Sequence, residues 1–161
     1  GRVGKLVVTL KSNLLHGLGL TQSSVYLSRF AGDRVNKDNE LGISVTLLPN
    51  FTAAELSSPQ APLAEMATDV DLGAFNGKSK LKGIVLLANK GQSPLEIKML
   101  QVYNPGLSVS LPKTTLRPGE TTEMKIVVST AVDRFRGSRK VLLITNDPRH
   151  PKILVNVTTK K

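Results

Sequence analysis

The sequence contains no cysteine and no tryptophan, two histidines, and only four Phe and two Tyr among its 161 residues. Without cysteine there is no disulfide, no thiolate metal site and no thiol nucleophile, while the redox compartment stays open because a β-sandwich folds without a bridge. Scarce aromatics weigh against single-stranded nucleic acid, whose binders stack bases on exposed rings. Tyr26 and Phe75 moreover sit in apolar patterns that read as core. No apolar run approaches the roughly 18 residues that a membrane span requires, so the expectation is a soluble chain. Gly1, Arg2, Val3 and Gly4 run directly into strand-like residues with no signal peptide, which leaves an already removed export signal open. His16 and His150 stand in no spacing with other ligands that would build a zinc or facial-triad site. A phosphate-binding glycine loop and a nucleophile elbow are both missing. Asp69 and Asp71 share a parity that would point them the same way on a strand, and such a pair at a strand start reads as a solvated edge. The expectation is a protein that is not an enzyme and needs no metal or cofactor.

Negative charge is also scarce, and the formal net charge is +10. Basic proteins meet nucleic acid, anionic glycans or membrane surfaces often enough for the excess to matter. It is unevenly spread: residues 38–77 contain no Lys or Arg, while Asp38, Glu40, Glu55, Glu65, Asp69 and Asp71 all fall there. Two basic clusters stand out elsewhere. Lys78, Lys80 and Lys82 alternate, so in an extended segment they project on one side, and Arg134, Arg136, Arg139 and Lys140 crowd a hairpin connection. These seven residues form the candidate interaction surface. The plainer reading is solvated charge, with lysines guarding edge strands against unwanted pairing.

What the chain has in quantity is short β-branched runs of period two, cut by Gly, Pro, Asn and Asp turns, the signature of antiparallel sheets. Strands are predicted at 5–11, 24–30, 41–48, 70–74, 81–89, 95–103, 107–111, 121–130, 140–145 and 152–159. Turn chemistry lies between them, including Asn89-Lys90-Gly91, Asn104-Pro105-Gly106 and Arg117-Pro118-Gly119. Asn146, Asp147 and Pro148 read as a structural turn, since Asx side chains bond nearby amides and Pro forces extended geometry on the residue before it. One helical turn is expected at 51–58, capped by Thr52 with Glu55 three residues on. The Ser- and Pro-containing stretch 57–62 is the only linker-like composition.

The two sides of that linker resemble each other. The run 5–10, Lys-Leu-Val-Val-Thr-Leu, parallels 125–130, Lys-Ile-Val-Val-Ser-Thr, and Gly17 keeps the spacing from its run that Gly137 keeps. Residues 41–46 parallel 153–158 in the same way. Such a repeat makes 1–50 a partial unit holding only the last three strands, 51–67 a short helix and linker, and 68–161 a complete unit.

Several motifs of the second unit carry a family resemblance: Asp71-Leu72-Gly73, then Asn89-Lys90-Gly91 followed by Pro94-Leu95-Glu96-Ile97, Pro118-Gly119-Glu120, and Thr145-Asn146-Asp147-Pro148 with Pro151. Together they resemble a family of bacterial immunoglobulin-like domains of unknown function, related to the Hydin-type domains of cilia and to the major sperm protein fold. Many members carry a Cys-Gly-Cys segment where this chain has Tyr103-Asn104-Pro105-Gly106, so any redox or metal role of those cysteines is absent. The resemblance implies an all-β, immunoglobulin-like antiparallel β-sandwich in tandem, with its first copy incomplete. It also implies a non-catalytic structural or protein-interaction module, exported to the periplasm or cell surface. The alternative is a polyanion-binding module using the basic hairpins on acidic glycan, lipid headgroup or, less favoured, nucleic acid.

Alternation further predicts that Leu72, Phe75, Val85, Leu87, Ile97, Ile126, Val128, Leu142, Ile144 and Val155 line the second core. The incomplete first unit is expected to carry an uncovered apolar face, including Leu6, Val8, Leu10, Val25, Leu27, Ile43 and Val45. That face would be covered by the linker, by the second unit or, through self-association, by another copy.

Overall fold

A computed structural model describes residues 3–130 and 139–160 of the chain. Its elements in chain order are β1 (Gly19–Tyr26), β2 (Glu40–Leu47), α1 (Ala53–Ser57), β3 (Ala64–Met66), β4 (Asp69–Ala74), β5 (Lys80–Asn89), β6 (Leu95–Val102), β7 (Leu107–Ser110), β8 (Thr115–Leu116), β9 (Thr121–Ser129), β10 (Arg139–Thr145) and β11 (Lys152–Lys160). Strands β3 to β11 build a sandwich of a five-stranded sheet, ordered β4-β11-β10-β6-β8, and a four-stranded sheet, ordered β3-β5-β9-β7. Its first edge is shared between the layers. β3 pairs antiparallel with β5, after which the chain crosses over and β4 runs parallel to β11 in the other sheet.

Period-two sequence produces period-two burial most clearly in β9, where Thr122, Met124, Ile126 and Val128 are buried and Thr121, Glu123 and Lys125 are exposed. These side chains meet Val85 and Leu87 of β5, Leu95 and Ile97 of β6, Val141 and Leu143 of β10, and Ile153, Val155 and Val157 of β11 in one core. The expected core residues Val85, Leu87, Ile97, Ile126, Val128 and Val155 lie in it, and Leu72 and Phe75 pack against it half-buried. Leu142 and Ile144 are a correction: both are fully buried, but on the reverse side of β10 from Val141 and Leu143. An unbroken apolar run from Val141 to Ile144 has no alternation from which to choose a phase.

What covers that reverse side is the front of the chain. β1 and β2 form a separate antiparallel hairpin, and β1 lies against β6 and β10. Gln101 of β6, paired with Leu142 in the ladder, holds the hairpin: its Oε1 accepts the Leu20 amide at 2.7 Å, and its Nε2 donates to the Leu20 carbonyl at 3.4 Å. Gly19 makes this approach possible, because a Cβ there would collide with the Gln101 side-chain amide and the residue's φ is +96°.

Other elements differ from the sequence reading. Residues 5–11, expected as a strand, have no ladder partner among the described residues, and their apolar side chains are exposed. The strand expected at 24–30 starts earlier, as β1, whereas β2 lies where 41–48 is predicted. Tyr26, which the apolar pattern assigns to a core, ends β1 with its ring exposed. The helical turn forms as expected: Thr52 Oγ1 accepts the Glu55 amide and Glu55 Oε2 accepts the Thr52 amide, a reciprocal capping box. No helix among the described residues is long and apolar enough to cross a membrane.

Candidate functional site

The predicted basic surface divides when placed on the fold. Lys78 lies in the turn before β5, and Lys80 and Lys82 project from β5 on the exposed outer face of the four-stranded sheet. Lys140 is exposed on β10, in the opposite sheet. Arg139 is only 3% exposed and reaches Thr159 Oγ1 at 3.4 Å, so it is withdrawn from the surface on which the sequence reading places it. Arg134 and Arg136 lie outside the described residues. Of that second cluster, neither described member, Arg139 or Lys140, lies on the face that carries Lys80 and Lys82.

Asn146, Asp147 and Pro148 form the β10–β11 turn, and the two Asx side chains also act at long range. The Asp147 carboxylate is fully buried; it accepts the Ala64 amide of β3 at 2.8 Å, the Arg149 amide at 2.8 Å, and faces His150 Nδ1 at 2.9 Å. Asn146 Oδ1 accepts the Glu96 amide at 2.7 Å and its Nδ2 donates to the Pro94 carbonyl. Asn89, which the sequence suggests only as a turn residue, is also fully buried. Its side-chain amide donates to the Ser93 and Leu116 carbonyls and accepts from the Gly91 and Leu63 amides. One end of the sandwich is thus stitched by three Asx side chains bonded to backbone, of which Asn89 spends its full hydrogen-bonding capacity in this way.

Further along β5 the fold leaves something open. β3 pairs with β5 only from Leu87 to Asn89, so on that side residues 80–86 have no ladder partner among the described residues. Leu72 of β4 closes the core behind this gap, its Cδ2 filling the space that a Cβ on Gly83 would need. Outward from the gap, Lys80, Lys82, Ile84 and Leu86 lie in sequence on one face, Ile84 and Leu86 each 58% exposed. Lys125 of β9 stands opposite Ile84 on the same face. Alongside runs a groove of about 630 Å³ lined by Glu65, Asp69, Asp71, Ile84, Leu86 and Lys90. The Gly73 amide, with Lys160 beside it, holds the Asp71 carboxyl below its usual range. The apolar half of this surface, Ile84 and Leu86, escapes the sequence reading, although its signal is present: from Ile84 onward both phases of β5 are apolar, more than a one-sided strand needs.

Among the described residues no group of three or more acidic or histidine side chains could hold a metal ion. The His150 ring faces the Asp147 carboxylate, and the Thr145 hydroxyl donates to the His150 carbonyl.

Comparison with known proteins agrees with this architecture. A family model described as HYDIN/CFA65/VesB-like, Ig-like domain matches residues 62–160. A search of curated proteins returns no match. Among solved structures, a protein of unknown function from Porphyromonas gingivalis W83 superposes with a TM-score of 0.68 at 23% identity, over 89% of this chain and 66% of that one. The Vibrio cholerae VesB protease superposes with a TM-score of 0.51 at 15% identity, over 67% of this chain and 33% of that one. At these identities the likenesses speak to fold. The chain spans about two thirds of the first structure's length and one third of the second's.

Proposed function

Because the chain belongs to the HYDIN/CFA65/VesB-like Ig-like domain family through residues 62–160, we propose that it is a non-catalytic structural and protein-interaction module of an exported bacterial protein. The observation that carries the reading is the open edge of β5 flanked by exposed Ile84 and Leu86. Unpaired strand edges accept an extended segment by main-chain hydrogen bonds, and outward side chains beside them supply specificity. Export to the periplasm or surface rests on the resemblance to exported relatives. In bacterial cells producing the protein, a photo-crosslinking residue at Leu86 is expected to give discrete higher-mass adducts that one at Lys113 does not. Equal labelling from both positions would count against a docking edge.

A second reading is favoured by one observation, the gathering of Lys80, Lys82 and Lys125 on that same face. Here the ligand is a polyanion such as an acidic glycan or lipid headgroup. Counterion release separates the two readings. If the lysines touch the anion, K78E/K80E/K82E flattens the dependence of log affinity for heparin on log salt, by roughly one unit for every lysine that pairs with an anionic group. A protein-docking edge leaves that slope nearly unchanged.

A further inference from the structure

We propose that residues 3–47 are the closing strands of a second sandwich, in which residues 3–11 hold the place of β9 and are flanked on both sides by strands preceding Gly1 in the parent polypeptide. The case starts from chain register. The offset that sets Lys5 on Lys125 also sets Gly19, the first residue of β1, on Arg139, the first residue of β10. The offset that sets Leu41 on Ile153 likewise sets Glu40, which opens β2, on Lys152, which opens β11. β1 and β2 then pair antiparallel as β10 and β11 do, with the ladder displaced by two residues. The hairpin is therefore a copy of the closing hairpin of the complete unit.

In that complete unit the strand before the hairpin is β9, paired by β5 on one side and β7 on the other. Both of those strands come earlier in the chain than β9. Their counterparts for residues 3–11 must then precede residue 3, which explains why a segment with strand periodicity finds no ladder here. The side chains agree. Leu6 and Val8 fall on Ile126 and Val128, which are fully buried, yet Leu6 is 51% and Val8 43% exposed. Leu41 falls on buried Ile153 and is 54% exposed. The later strands of this chain cannot serve, because β5 and β7 are already joined to β9. A segment paired on both edges and covered on one face is what this sequence pattern is suited to. The inference does not depend on whether the β5 edge is a docking site.

Amide hydrogen exchange tests it, on the 161-residue chain and on the polypeptide extended upstream by its own coding sequence. In the shorter chain the amides of residues 5–10 are expected to exchange freely. In the longer one they should slow by on the order of 100-fold at concentrations where it sediments as a monomer, as for a central strand. Equally fast exchange in the longer chain overturns the proposal. So does protection that grows with protein concentration, which makes a second copy the cover, and so does an upstream reading frame without β-patterned segments.

Discussion

Asp147 shows how a residue that looks available for chemistry is instead committed to structure. A fully buried carboxylate with two backbone amides and an imidazole around it is satisfied only by those partners. Asp147→Ala strands the Ala64 amide, and leaving a buried donor unmet costs about 1–3 kcal/mol. Urea unfolding should register a loss of that size together with faster exchange at Ala64; an unchanged midpoint would mean that water takes over the bond. Asp33 illustrates the opposite case, a carboxylate tuned by charge. Hydrogen bonds from the Arg29 side chain and backbone amide, with the guanidinium charge, lower its pKa to about 2. A folded-state pKa below the ordinary 3.8 means that its contribution is complete above the unfolded value and fades as pH falls through the folded one. The loop between β1 and β2 should therefore keep its structure at about pH 4 and loosen toward about pH 2, seen as shifts in the Arg29 and Asn39 amide resonances. Arg29→Ala should move the Asp33 titration back toward the ordinary carboxylate range.

At the scale of elements, the sequence is most legible where one face of a strand is wet. β9 and β11 alternate, and their core residues follow from parity, whereas β5 alternates in burial although both its phases are apolar from Ile84 onward. β10 cannot be phased in this way, because the front hairpin covers what would be its solvent face. β3 and β8 are too short to leave a periodic trace, three and two residues long. Residues 5–11 mislead for a different reason: periodicity reports the ability to form a strand, while a strand exists only when its neighbours are present. The pattern puts β1 too late because its apolar signal is Val25, Tyr26 and Leu27, whereas the strand begins before the polar run of Thr21 to Ser24. The basic surface is legible as composition and not as geometry, since alternation fixes the direction of Lys80 and Lys82 but cannot show Arg139 turned inward. The hairpin itself hangs on few atoms. Gly19→Ala places a Cβ against Gln101 at a positive φ that costs an L-residue roughly 1–2 kcal/mol, and Gln101→Ala removes the bonds to Leu20. Each change should speed amide exchange in β1 and leave Ile126 and Val128 of β9 as protected as before. If β9 loses protection in step, hairpin and sandwich unfold as one unit.

On the scale of the whole molecule, the front segment and the sandwich are coupled through apolar burial and not through charge. Leu142 and Ile144 are both fully buried on the reverse of β10, where β1 lies. Burial of a Leu or Ile contributes about 1.5–3 kcal/mol, so together they bind the front to the sandwich more strongly than any exposed ion pair, for which about 0–1 kcal/mol is usual. The place to cut is set by β3, which the sequence reading leaves within the linker and which pairs with β5 while its Ala64 amide is held by Asp147. A chain starting at Pro62 keeps these contacts; one starting at Ala67 does not. The chain from Pro62 should fold, with its β9 amides protected, but should be less stable by a few kcal/mol in urea unfolding than the full chain, because Leu142 and Ile144 now face water. It should also self-associate through that face, since an exposed apolar patch on a sheet seeks cover. Sedimentation across a concentration series measures the second effect. The substitution pair L142T/I144T, which makes the bared face polar, should return the shortened chain to a monomer. A shortened chain that is as stable and as monomeric as the full one would show that the hairpin rests on the sandwich without contributing to it.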